Sequence, residues 1–118
     1  IKPPFNVNRP ALFAATQAVQ DTNWLKKAIK HNNFWSEKIF DVIDEIGIAT
    51  NKTKVNFFLL NFDFVDKSSS QVFKKLANSG ILVRQMDVYG IKNSLRVTIG
   101  NNYENKKFII TLRKIFNV

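Results

Sequence analysis

Cysteine is absent from this chain of 118 residues. That excludes disulfide frameworks, thiolate metal sites and cysteine nucleophiles. Histidine occurs once, as His31. Metal ligands come in clusters, so a lone mid-helix histidine is expected as a partly exposed structural residue, and no metal is expected. No Ser/His/Asp arrangement can be built around it. The four glycines stand singly at 47, 80, 90 and 100, which leaves no glycine-rich phosphate loop. No apolar run approaches the roughly 20 residues of a membrane span, and no signal-peptide pattern is visible. Acidic residues number nine against eighteen Lys and Arg, a formal charge of +9. Such a surplus raises the expectation of anionic partners. Its distribution argues otherwise: Lys26-Lys27, Lys74-Lys75 and Lys106-Lys107 fall on the polar sides of three separate predicted helices. They are expected as solvated faces, with neither nucleic acid nor membrane as partner.

What the chain does contain is apolar: 45% of its residues, eleven of them Phe. A chain this size can bury roughly two-thirds of the surface its unfolded form exposes, so a packed core is expected. The opening IKPPFNVN has neither helical nor strand periodicity and is expected as part of something longer.

Pro10 after Asn8-Arg9 predicts a helix start with Asn8 or Arg9 as cap. Asp21 then caps a longer helix over about 22–46, whose inner face reads Leu25, Ala28, Asn32, Trp35, Ile39, Val42, Ile46. Gly47 suits its C-terminus. VNFFLLNF, 55–62, is expected as a strand buried on both faces. Ser68-x-x-Gln71 is a capping-box pattern for a helix running to Gly80, with Val72, Phe73, Leu76 and Ala77 inside. ILVR, 81–84, is predicted as a short strand. SLRVTIG, 94–100, alternates Leu95, Val97 and Ile99 on one face with Arg96 and Thr98 on the other. Asn101 or Asn102, followed by Glu104, opens a last helix to about 116 with Phe108, Ile109, Leu112, Ile115 and Phe116 as its core stripe. The order α-α-β-α-β-β-α predicts an α/β two-layer sandwich, a small mixed sheet covered by helices.

Few residues are candidates for chemistry. Asp41, Asp44 and Glu45 are expected as a solvated face with Lys38. Arg96 must project from the face opposite Leu95 and Val97, and Arg84 ends the preceding strand. The connection QMDVYGIKN can return the chain alongside it, letting two guanidiniums converge on one carboxylate or phosphate. A structural ion pair with Asp87 or Asp63 is the competing explanation.

PPFNVNRPA, VNFFLLNF and GILVRQMDVYG-IKNSLRVTIG together resemble the C-terminal part of the histidinol-phosphate aminotransferases, over nearly the whole chain. The resemblance implies the small domain of a fold-type I enzyme dependent on pyridoxal phosphate. It implies that residues 1–118 form that single domain, with 1–20 leading in from a missing large domain. It implies substrate binding by Arg96, on the carboxylate of glutamate or 2-oxoglutarate and in part on the phosphate of histidinol phosphate, and by Arg84 as the second arginine on that phosphate. It also implies a cytoplasmic homodimer as parent. The family's Schiff-base lysine, in a Ser-x-x-Lys stretch, and the aspartate facing the cofactor ring lie upstream of the matched segment. No catalytic or cofactor-binding residue is therefore assigned here, and the piece alone is expected to be inactive. IKNS departs from the family, which more often has proline in that loop. The rival expectations are a threonine-phosphate decarboxylase or an aromatic aminotransferase within the same fold, or a free-standing basic nucleic-acid-binding module.

Overall fold

The Asn8 side chain accepts the Ala11 N–H at 2.8 Å, and Pro10 follows in the first turn of α1, Arg9–Gln20. A proline there forfeits no helical bond. The computed structural model describes residues 6–118. α2 spans Thr22–Ile46, with Asp21 accepting the Trp24 N–H at 2.9 Å, and Gly47 takes the left-handed conformation (φ 84°) that ends it.

The chain divides into two compact units, residues 1–31 and 32–118. The first holds α1 and the start of α2. No residue of α1 is buried, and Leu12, Phe13, Val19, Trp24 and Leu25 are exposed. Leu25 was expected on the inner face of α2. The buried residues of that helix are Trp35, Ser36, Ile39, Val42 and Ile43, all in the second unit.

The second unit continues with β1, Ala49–Thr50; β2, Phe57–Asn61; α3, Ser69–Asn78; β3, Arg84–Gln85; β4, Ser94–Thr98; and α4, Asn102–Phe116. The sheet order is β1-β2-β4-β3, and every neighbouring pair is antiparallel. The α/β sandwich is as expected, but the sheet is not mixed. β2 and β3 both run against β4, so they are parallel to each other and α3 crosses between them. β4 then inserts between the two, and the parallel strands never touch. This is a split βαβ arrangement. β1 was not foreseen, because two residues carry no readable alternation.

Along β2, Phe58 and Leu60 are buried while Phe57 is exposed and Leu59 and Asn61 are half-buried. The expectation of burial on both faces is corrected: helices cover one face only. There Phe58, Leu60, Leu95 and Val97 meet Ile39 and Ile43 of α2, Val72 and Leu76 of α3, and Phe108 and Leu112 of α4. Each such side chain contributes about 1.5–3 kcal/mol on full burial. The foreseen capping box of Ser68 with Gln71 is present, and at the start of α4, left open between Asn101 and Asn102, Asn101 forms a second one with Glu104.

Candidate anion-binding site

Leu95 and Val97 point into the core, so Arg96 emerges on the sheet face the helices leave uncovered. β3 pairs with β4 in the register that sets Arg84 directly opposite Arg96. On its other side Arg96 faces Leu59, and its guanidinium lies 5.2 Å from the centre of the Phe57 ring. Residues opposite each other across strands share a face, so the structure brings the two arginines together. Arg84 opens β3 instead of ending a strand over 81–84, and it is exposed; it donates to the Tyr89 hydroxyl at 3.3 Å, with its guanidinium 6.0 Å from that ring. Arg96 is half-buried, and its Nε is fully buried with no hydrogen-bond partner.

Among the described residues neither arginine takes part in an ion pair. Asp63 accepts from Asn93 at 2.8 Å and from Asn61 at 3.0 Å instead. Those two bonds, Asn93's first, hold its carboxyl below the usual aspartate range. Like charges directly opposite on a sheet are unfavourable, and a buried donor left unpaired costs about 1–3 kcal/mol. An anion seated between the two guanidiniums offsets both.

Arg84 and Arg96 line a cavity of about 650 Å³ together with Val83, Thr98, Tyr103, Glu104 and Lys107. Glu104 is its one carboxylate, and it accepts the Asn101 N–H at 2.8 Å as part of the helix cap. Lys107, expected on a solvated helix face, lines this cavity, and Tyr103 and the buried Asn105 beside it were not foreseen as part of a site. The signal for Asn105 was there: it continues the stripe Phe108, Leu112, Ile115 one step back, so a polar side chain occupies a core position of α4.

The other sequence candidates lie elsewhere. His31 is half-buried on α2. Asp44 pairs with Lys52 at 2.5 Å and Glu45 with Arg113, whereas Lys38 lies over the Phe34 ring, 5.0 Å from its centre. All four, Lys38, Asp41, Asp44 and Glu45, are exposed, as expected of a solvated face. Lys75, Lys106, Lys107 and Lys114 line a second groove, of about 760 Å³. One of the three lysine pairs, Lys106-Lys107, thus meets Lys75 of a second pair around one groove.

The sequence profile described as aminotransferase class I and II matches residues 1–112. The chain belongs to the class I and II aminotransferases. It is 42% identical over 118 residues to the histidinol-phosphate aminotransferase of Pelagibacter ubique, which covers 99% of this chain and 33% of that protein. With the histidinol-phosphate aminotransferase of Maricaulis maris it shares 32% identity over 113 residues, 95% of this chain and 31% of that one. The crystal structure of the histidinol-phosphate aminotransferase from Clostridium acetobutylicum superposes with a TM-score of 0.83 at 22% identity, covering 98% of this chain and 35% of that one. That likeness shows the fold. The chain spans about a third of the length of these aminotransferases.

Among the described residues no helix is long and apolar enough to cross a membrane.

Proposed function

We propose that this chain is the C-terminal small domain of a histidinol-phosphate aminotransferase, with residues 1–20 leading in from a large domain, and that it recognises the substrates' anionic groups. The parent moves an amino group between glutamate and imidazole-acetol phosphate, as a cytoplasmic homodimer. The identity to two aminotransferases of that name supports the reading. The observation that carries it is the pair of arginines set opposite each other, neither of them ion-paired with an acidic side chain among the described residues. Two guanidinium forks suit carboxylate and phosphate alike, which a site serving two substrates in turn requires. Arg96 takes the glutamate carboxylate and contributes to the phosphate; Arg84 takes the phosphate.

Pyridoxal phosphate, implied by the family, supplies the electron sink for amino transfer. The cavity residues do not fit it. Its single carboxylate, Glu104, is engaged in capping α4, so none is left to face a pyridine nitrogen. Its single lysine, Lys107, has its amino group beside Gly80. The proposal places the cofactor on residues outside this chain and makes the chain alone inactive.

The test uses the full-length enzyme. Arg96→Ala should lower kcat/KM in both half-reactions, and Arg84→Ala mainly with the phosphate substrate. Loss of one partner of a desolvated charged contact costs about 2–5 kcal/mol, roughly 30- to 5,000-fold. Arg96→Lys should recover only part, because an ammonium cannot make a two-pronged contact. Both half-reactions within about threefold of wild type for Arg96→Ala, under ~1 kcal/mol, would refute the assignment.

A further inference from the structure

Asn105 is 3% exposed, and its side chain turns back from the first turn of α4 onto the end of β4. Nδ2 donates to the Gly100 carbonyl at 2.8 Å, and Oδ1 accepts the Gly100 N–H at 2.9 Å. One amide therefore satisfies both backbone groups of Gly100, as a neighbouring strand would. Glycine at 100 leaves room for this: a Cβ there would run into the Glu104 carboxylate that caps the same helix. Gly100 stands two residues beyond the end of β4 and four beyond Arg96. At the other end of the strand Asn93, in the left-handed conformation (φ 47°), accepts the Ser69 N–H and donates to Asp63, both at 2.8 Å. β4 is thus pinned at both ends by side-chain amides.

We infer that Asn105 is a positioning residue for Arg96: by clamping Gly100 to α4 it holds β4 so that the Arg96 guanidinium stays opposite Arg84. The inference rests on Arg96 being an anion-binding residue. A leucine at 105 would suit the core stripe better in polarity, but it would remove both side-chain hydrogen bonds to Gly100 and let the strand end shift. Displacements of about 1 Å away from the chemistry can cost on the order of 100-fold in rate.

The experiment is a double-mutant cycle in the full-length enzyme, comparing wild type, Asn105→Leu, Arg96→Ala and the double variant. It reads kcat/KM for glutamate and the dissociation constant of inorganic phosphate, at a temperature where circular dichroism shows all four folded. Asn105→Leu should lower kcat/KM and raise the dissociation constant, each by about 10- to 100-fold, and should change the Arg96→Ala enzyme by less than about twofold, the non-additivity of coupled residues. An equal loss in both backgrounds, with Arg96→Ala itself harmful, would make Asn105 a stability residue only and overturn the positioning role alone. A harmless Arg96→Ala would fail the anion-site reading, and the positioning role with it. If Asn105→Leu does not fold, Asn105→Ser replaces it in the same cycle with the same outcomes.

Discussion

Arg96 alternates out of a core strand, and an arginine in that position needs either an acid or an incoming anion. The acids considered for it are otherwise placed: Asp63 is held by Asn93 and Asn61, and Asp87 makes no ion pair among the described residues. A bound anion should therefore stabilise the fold. Phosphate at about 100 times its dissociation constant should add ~2.7 kcal/mol to the unfolding free energy, and the double variant Arg84→Ala, Arg96→Ala should lose that increment, read as the shift in chemical-denaturation midpoint against chloride at equal ionic strength. Asp63 has its own signature. Its native pKa lies below the usual aspartate value, so its contribution is full above that value and is lost as pH falls through the lower native one. Replacing Asp63 with Asn should flatten the acid limb of the stability profile in that window, followed by urea unfolding at successive pH values.

At the scale of elements, the helix ends were the most legible feature. A cap depends on residues three apart in the chain, so Asn8, Ser68 with Gln71, and Asn101 with Glu104 could be read before any packing was known. Asn101→Ala should cost about 0.5–2 kcal/mol, because it frees the N–H groups of Tyr103 and Glu104 that the side chain now accepts. The strands were less legible. Within VNFFLLNF the run FFLL, 57–60, is apolar throughout, and composition could not tell which of its faces a helix would cover. Leu60, fully buried, should cost about 2–5 kcal/mol as Leu60→Ala, whereas Leu59→Ala, half-buried on the other face, should cost clearly less. Thermal unfolding of the two variants measures the difference, and equal costs would contradict the one-sided core.

At the scale of the molecule, the first unit presents an unusual surface. Leu12 is 60% exposed, Phe13 71% and Val19 80%, on a helix with no buried residue. Large apolar side chains exposed to this extent on one helix suit a surface that another molecule covers. The chain on its own should self-associate, with sedimentation coefficients that rise through the micromolar range, and Phe13→Glu with Val19→Lys should shift it toward monomer. A concentration-independent monomer would argue against that surface being one that a partner covers. Phe5 lies outside the described residues.

The sequence by itself determined the order of the helices, their caps, the alternation that sends Arg96 away from Leu95 and Val97, and the resemblance to an aminotransferase family. All of these depend on residues close together along the chain, where period and spacing are physical constraints. Only the tertiary structure decided the rest. The insertion of β4 between β2 and β3 made the sheet antiparallel and set Arg84 against Arg96, since strand register follows from which apolar faces the helices bury. Core packing brought Asn105 within hydrogen-bond reach of Gly100, a contact whose identity depends on the path of the chain between strand and helix. The meeting of Lys75 with Lys106 and Lys107 around one groove likewise follows from α3 and α4 lying on the same face of the sheet, and no local pattern in the sequence encodes that.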